Sequence, residues 1–149
     1  MSAEKPALEP EMIPHGVKAV LVCLDAGPWR DGARAYFAAQ GYYLMDEPDE
    51  ELAAAKARLN ALDVVLAGQG KAALLAELHG RPGLRRRETA LFIVGDFASL
   101  DSWAAFSSAA DWVLGQGDAP RAAELLTEAL KRQEASREPW RLAEEASAG

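Results

Sequence analysis

The sequence predicts an α/β fold in which five strands and five helices alternate as (βα)5 around a doubly wound parallel sheet. Three observations favour this fold. Short apolar segments alternate with helical patterns of about 10 to 13 residues, which is typical of βαβ units. Residues 18–24 are almost continuously apolar, as expected for a strand buried on both faces of a parallel sheet. Glycine or proline stands at several boundaries between segments, where it ends a helix or turns the chain.

The strands are assigned in chain order from runs of apolar and β-branched residues. They are predicted at residues 18–24, 42–45, 63–67, 89–94 and 111–114. Right-handed crossovers are expected between them, because each pair of parallel strands is joined through a helix.

The first three helices are assigned from apolar residues at helical spacing. The first, residues 29–40, buries a face of Trp29, Ala33, Tyr36 and Phe37. The second, residues 49–59, is expected to face inward with Leu52, Ala55 and Leu59. The third, residues 71–79, is expected to bury Leu74, Leu75 and Leu78.

The last two helices follow strands four and five. Ser99 or Asp101 is suited to cap the fourth helix, which is predicted to bury Leu100, Trp103 and Ala104. The fifth helix opens at Pro120 and is expected to run to about residue 132. Its predicted inward face consists of Ala122, Leu125, Leu126, Ala129 and Leu130.

Three regions are predicted along the chain. Residues 1–16 hold three prolines and three acids with little periodicity, and are expected to form a disordered tail. Residues 17–134 form the folded domain, and residues 135–149 form a partly helical C-terminal extension.

Composition excludes several classes of function. A net charge of -7 argues against nucleic acid or an anionic membrane as a general partner, because both require a basic face. No apolar run approaches the roughly 20 residues that a membrane-spanning helix needs, and the N-terminal residues do not resemble a secretory signal. A cytoplasmic location is therefore expected. The single cysteine, Cys23, lies within an apolar strand and is expected to be buried and unreactive.

The layout of residues 17–132 resembles the receiver domains of bacterial two-component response regulators. Leu24-Asp25 stands where receivers carry the acidic pair that ends their first strand, and Gln40-Gly41-Tyr42 reproduces the exit from their first helix. The resemblance implies a flavodoxin-like (CheY-like) sheet with strand order 2-1-3-4-5, and a role in signal transduction.

Three further strand ends carry glycine at positions where the resemblance implies reactive groups. Gly68 stands in the slot of the phosphoacceptor aspartate, Gly95 in that of a serine or threonine, and Gly115 in that of a lysine. In the family, the acidic residues bind Mg²⁺, and the hydroxyl and lysine hold the phosphoryl group. Only Asp25 keeps a family side chain, so the sequence predicts a degenerate receiver with no phosphorylation, catalytic residue, cofactor or metal.

Gly68-Gln69-Gly70-Lys71 begins a G-x-G-x-x-A pattern between a strand and a helix, which is one context for binding a nucleotide or another anion. Against this, the pattern follows the third strand and not the first. Gly115-Gln116-Gly117 has the same Gly-Gln-Gly sequence and follows the fifth strand. Both glycine turns are interpreted mainly as tight connections, and ligand binding there is the alternative.

Two sets of residues are candidates for contact with a protein partner. An arginine cluster could bind an acidic partner or a phosphate, although a solvated loop is the commoner interpretation of such a run. Tryptophans of the fourth helix, fifth strand and C-terminal extension could form an apolar face, which in receivers commonly serves for dimers. These candidates are Arg81, Arg85, Arg86, Arg87, Trp103, Trp112 and Trp140.

The sequence thus favours a non-enzymatic pseudo-receiver that acts as an interaction or regulatory adaptor independently of phosphorylation. No nucleophile, base and orienting group can be assembled for catalysis. The expected partner is a protein, with a homodimer through the fourth helix, fifth strand and fifth helix as one form. A small-ligand or nucleotide sensor that uses the two glycine turns is the alternative function.

Overall fold

The computed structural model describes residues 8–82 and 88–148, without the side chains of residues 140, 141, 144, 147 and 148. The elements in these residues, in chain order, are β1 Ala19–Cys23, α1 Pro28–Ala39, β2 Tyr43–Asp46, α2 Glu50–Leu59, β3 Val64–Gly68, α3 Ala72–His79, β4 Ala90–Gly95, α4 Ser102–Ser107, β5 Trp112–Gly115, a 3₁₀ helix Gln116–Arg121 and α5 Ala122–Ala148.

The five strands form one parallel sheet in the order β2-β1-β3-β4-β5. The predicted fold class and strand order are confirmed. The central strands β1 and β4 are buried along their whole length, which explains their continuous apolar sequences. Gly95 of β4 pairs in register with Gly115 of β5, so these two glycines lie side by side at the carboxyl edge of the sheet.

Alternate strand residues point to two separate cores, one on each face of the sheet. On one face, Val22 and Leu66 pack with Trp29 and Phe37 of α1 and with Leu126 of α5. The other core contains strand residues together with the inward faces of α2 and α3. The apolar faces predicted for α1, α3 and α5 lie on these cores.

The inward face of α2 differs from the prediction. Ala53, Ala54 and Ala57 are buried, whereas Leu59 is exposed. Leu52 and Ala55 of the predicted face are half-buried. Small alanine side chains allow a helix to pack closely on its neighbours, and three of them form the buried face of α2.

The last helix is longer than predicted. It begins at Ala122, after the 3₁₀ helix that contains Pro120, and continues through the predicted C-terminal extension to Ala148. Its second half is rich in Glu, Ala and Arg, which favour helix, and it has Pro139 as an internal proline.

Residues 8–16 contain no helix or strand but contact the domain. The backbone N–H of Glu11 donates to Asn60 Oδ1 at 2.7 Å, and Tyr43 donates its hydroxyl proton to Glu11 Oε2 at 2.7 Å. Ile13 packs against the core beneath α2 and α3. The disordered tail expected over residues 1–16 stays a prediction.

Candidate functional site: the carboxyl edge of the sheet

The carboxyl ends of β1, β3, β4 and β5 meet at one edge, where ligands bind in many doubly wound folds. Leu24, which follows β1, is buried in the core beneath α1 and α5. Asp25 next to it is exposed, so the two members of the predicted degenerate pair lie in different environments.

Asp25 is paired with a lysine of its own chain. The ammonium Nζ of Lys71 lies 2.6 Å from Asp25 Oδ1 and also donates to the carbonyl oxygen of Pro48 at 2.7 Å. The side chain of Lys71 is only 13% exposed, whereas that of Asp25 is 88% exposed. The hydrogen bond and the charge of Lys71 lower the pKa of Asp25, and the hydrogen bond from Lys71 to Asp25 raises the pKa of the lysine. The ammonium group of Lys71 is therefore already present beside Asp25.

Two backbone donors of the first glycine turn, those of Gln69 and Lys71, bond within the chain. Gln69 N donates to Val94 O at 2.8 Å, and Lys71 N donates to Gly68 O at 3.0 Å. In the first turn of α3, Ala73 N donates to Glu50 Oε1 at 3.0 Å. The chain's own carboxylate thus lies at the helix end where an anionic ligand would bind, which disfavours the predicted anion turn at Gly68, Gln69, Gly70 and Lys71.

The space around Gly68 is open enough for a side chain. A Cβ placed at this residue would lie 3.6 Å from Lys71 Cγ and 3.8 Å from Leu24 Cδ2, both ordinary contact distances. Sterically the phosphoacceptor slot is free, but glycine offers no oxygen atom to phosphorylate.

The space over Gly95 is filled by Gln69. A Cβ at residue 95 would lie 2.7 Å from Gln69 Cβ and 2.9 Å from its Cδ. The Gln69 side chain also accepts a hydrogen bond from Asp96 N through Oε1, at 3.0 Å. The slot that carries a hydroxyl in receivers is therefore covered by a side chain from the neighbouring turn.

Gly115 is held through both of its backbone polar groups. Its N–H donates to Ser99 Oγ at 2.7 Å, and its carbonyl oxygen accepts from Trp29 Nε1 at 2.8 Å. Ser99 in turn donates to Asp118 Oδ2 at 2.5 Å. A Cβ at residue 115 would lie 2.7 Å from the carbonyl oxygen of Phe97, so the slot of the receiver lysine has no room for any side chain.

Sequence reasoning missed most of these contacts. Ser99 is predicted only as a helix cap, but Asp101 caps α4, accepting from the N–H groups of Trp103 and Ala104. Glu50 and Asp118 carry no sequence signal of their own. The Asp25 carboxylate accepts from Lys71 Nζ, and the backbone N–H of Asp96 donates to Gln69 Oε1. Within residues 8–82 and 88–148, no group of three or more His, Cys, Asp or Glu side chains is placed to hold a metal ion.

The fourth helix presents its aromatic residues to solvent. Trp103 is 74% and Phe106 77% exposed, and their rings stack with centroids 5.9 Å apart. The prediction that Trp103 is buried is wrong. The prediction counted Leu100 as part of the helix, but Leu100 precedes α4 and has a left-handed conformation with φ 66°. The buried residue of α4 is Ala105.

The other candidate contacts have different surroundings. Trp112 is half-buried, and its Nε1 donates to Gln133 Oε1 at 2.8 Å, which ties β5 to α5. Arg81 donates from Nη2 to the carbonyl oxygen of Ala57 at 2.6 Å. Residues Arg85, Arg86 and Arg87 lie outside the described residues, and so does the side chain of Trp140.

Cys23 is buried in β1, and burial raises the pKa of its thiol to about 12. At neutral pH it is therefore protonated, consistent with the unreactive cysteine expected from the sequence. None of the described helices is both long and apolar enough to span a membrane.

Solved structures that are similar to this chain include those of two response-regulator receivers. The chemotaxis response regulator CheY4 of Vibrio cholerae has a TM-score of 0.62 and 19% sequence identity, covering 78% of this chain and 98% of that one. A CheY-like response regulator receiver domain protein from Methanospirillum hungatei JF-1 has a TM-score of 0.59 and 20% identity, covering 81% of this chain and 99% of that one. No protein-family model matches the sequence, and no curated protein sequence does. The structural similarities, with the observed strand order, show that the chain has the CheY-like receiver fold.

Proposed function

We propose that this chain uses its CheY-like receiver fold as a phosphorylation-independent pseudo-receiver, a cytoplasmic adaptor that regulates a signalling protein by direct contact. The proposal rests on the residues found at the carboxyl edge of the sheet. Gly68 stands where the resemblance places the phosphoacceptor, and the acid beside it, Asp25, is neutralised by Lys71.

Aspartyl phosphorylation needs an acceptor oxygen and a cation that neutralises charge during the transfer. Gly68 supplies no oxygen. The Lys71 ammonium is paired with the Asp25 carboxylate and is fixed by a second bond to Pro48 O, so a divalent cation at Asp25 would lie beside an existing positive charge. The two slots for groups that hold the product are covered by Gln69 and by the Phe97 backbone. Each of these features independently opposes phosphoryl transfer.

The exposed aromatic pair on α4, Trp103 and Phe106, supports a role in protein contact. Large aromatic side chains contribute much of the binding energy at protein interfaces, because they bury a wide area with few rotatable bonds. Trp103 and Phe106 are both largely exposed, so they form a small apolar patch on the surface of the domain. The pair therefore suits an apolar pocket on a partner.

The charge of the chain favours a different protein as that partner over a second copy. A net charge of -7 makes two copies repel at long range, whereas it attracts a basic protein. The homodimer remains a competing form of the same contact. The ligand-sensor alternative has less support, because the N–H groups of Gln69, Lys71 and Ala73 bond within the chain.

The experiment compares affinity capture by the wild-type chain and by the double variant Trp103→Ala/Phe106→Ala. We expect one specific protein to be retained by the wild type, in equal yield with or without acetyl phosphate and Mg²⁺, and to be lost at least about tenfold in the double variant. Met12→Ala, which removes a fully exposed apolar side chain elsewhere, is the matched control and should retain the partner.

Two outcomes would contradict the proposal. Retention that requires acetyl phosphate would mean that the function depends on phosphorylation. Equal retention of the partner by the wild type and the double variant would show that the contact does not involve Trp103 and Phe106 of α4. Light scattering of the wild type and double variant at several concentrations separates self-association from binding of a different protein.

A further inference from the structure

Gln69 bonds to the chain on both sides of Gly95. Its backbone N–H donates to Val94 O at 2.8 Å, which prolongs the β3–β4 pairing by one residue. Its side-chain Oε1 accepts from Asp96 N at 3.0 Å. One residue beyond the end of β3 therefore fixes the backbone at the point where β4 passes into its loop.

Gln69 and Gly95 are sterically matched. The Gln69 Cβ would lie only 2.7 Å from a Cβ at residue 95. This distance is shorter than the van der Waals contact of two carbon atoms that are not bonded to each other. Because the Gln69 Cβ is set by the backbone, rotation of the side chain does not relieve this contact. Glycine at residue 95 is what allows the glutamine side chain to lie across the strand end.

The residues that Gln69 holds lead directly into the aromatic helix. Phe97 N donates to Gly95 O at 2.9 Å, and Leu100 N donates to Val113 O at 2.8 Å. Leu100 has φ 66°, a conformation that costs free energy for a leucine and persists only where its surroundings impose it. The loop at residues 96–101 is thus fixed by Gln69 at one end and by β5 at the other, two residues before Trp103.

We propose that Gln69 is a built-in latch, meaning a side chain that holds the 96–101 loop, and with it Trp103 and Phe106 on α4, in one position without any bound group. This inference goes beyond the proposed function. It assigns the orientation of the aromatic pair to an internal contact between the ends of β3 and β4, so that no ligand or modification at this edge is needed to set it.

Amide hydrogen exchange by NMR tests the latch directly. In Gln69→Ala we expect exchange at Asp96 N to rise about five- to tenfold, as loss of one hydrogen bond implies, and the amides of residues 97–101 to follow. Gln116→Ala is the matched control, because Gln116 occupies the same place in the second Gly-Gln-Gly turn and is exposed. Unchanged protection at Asp96 in Gln69→Ala would overturn the proposal.

A double-mutant cycle tests the steric match. Gly95→Ala should lower the thermal midpoint by several degrees in the wild-type background and by much less in the Gln69→Gly background, where the opposing Cβ is absent. Equal shifts in the two backgrounds would show that Gln69 does not fill the space over Gly95.

The chemical shifts of the Trp103 indole connect the latch to the aromatic helix. They should move or broaden in Gln69→Ala and stay unchanged in Gln116→Ala. An unchanged Trp103 signal together with lost Asp96 protection would contradict the coupling to α4. These readouts need no partner, so failure of the latch and failure of the proposed adaptor function are distinguishable.

Discussion

Trp29 Nε1 donates a 2.8 Å hydrogen bond to the carbonyl oxygen of Gly115, joining the start of α1 to the end of β5 across 86 residues of sequence. The indole is buried, so both partners lie away from water. Together with the bond from Gly115 N to Ser99 Oγ, it fixes the strand end where the receiver lysine would stand.

We expect Trp29→Phe to lower the free energy of unfolding by about 1–3 kcal/mol, because it leaves the buried Gly115 carbonyl without this donor and removes part of a packed ring. Urea denaturation monitored by far-UV circular dichroism measures the change. Trp103→Phe is the control and should change stability by less than about 0.5 kcal/mol, since Trp103 is exposed. Equal effects of the two substitutions would contradict the assigned role of the bond.

Lys71→Met should destabilise the domain by about 1 kcal/mol near neutral pH, because the Pro48 carbonyl loses its donor. The pH dependence has two limits. The pKa of Lys71 is raised by Asp25, so its contribution is present below 10.5 and is lost as pH rises through the higher folded-state value. The pKa of Asp25 is lowered, so its contribution is present above 3.8 and is lost as pH falls through the lower folded-state value.

Urea midpoints measured from pH 3 to pH 11 for wild type and Lys71→Met test this window. The difference between the two proteins should be largest between these limits and shrink beyond them. Asp25→Asn should remove the acid dependence while leaving the Lys71 bond to Pro48. A difference that is constant across the whole range would show that the ion pair between Lys71 and Asp25 does not contribute to stability.

Substituting two of the edge glycines by alanine should have opposite consequences. Gly115→Ala would place a Cβ 2.7 Å from the Phe97 carbonyl oxygen, and overpacking of this kind costs about 1–3 kcal/mol. Gly68→Ala meets only ordinary contacts and should be neutral or slightly stabilising, since alanine restricts the unfolded chain. Thermal unfolding of the two variants compares them, and a greater loss for Gly68→Ala would contradict the geometry of the edge.

The architecture was predictable because the spacing of apolar residues along the sequence differs between strands and helices. The apolar runs of β1 and β4 and the inward faces of α1, α3 and α5 follow directly from burial against a parallel sheet. Prediction failed where small residues or a change of backbone conformation altered the phase. Alanines form the inward face of α2, and the left-handed Leu100 precedes α4 and shifts which of its residues are buried.

The site was predictable in position but not in content. The order of strands places Gly68, Gly95 and Gly115 on one edge, as the sequence indicates. The groups that fill that edge come from residues distant along the chain: Lys71 reaches Asp25 over 46 residues, and Asp96 reaches Gln69 over 27. Such pairings depend on three-dimensional distances between loops, for which a single sequence has no periodic signal.

We propose that the carboxyl edge does not accept a phosphoryl group, because Gly68 offers no acceptor oxygen and Lys71 is paired with Asp25. The most direct measurement is a two-dimensional amide NMR titration with Mg²⁺ and beryllofluoride, using a receiver that retains its phosphoacceptor as positive control. We expect no saturable shift at the amides of Asp25, Gly68 or Asp96. A saturable shift at these three amides, dependent on both Mg²⁺ and beryllofluoride, would contradict it.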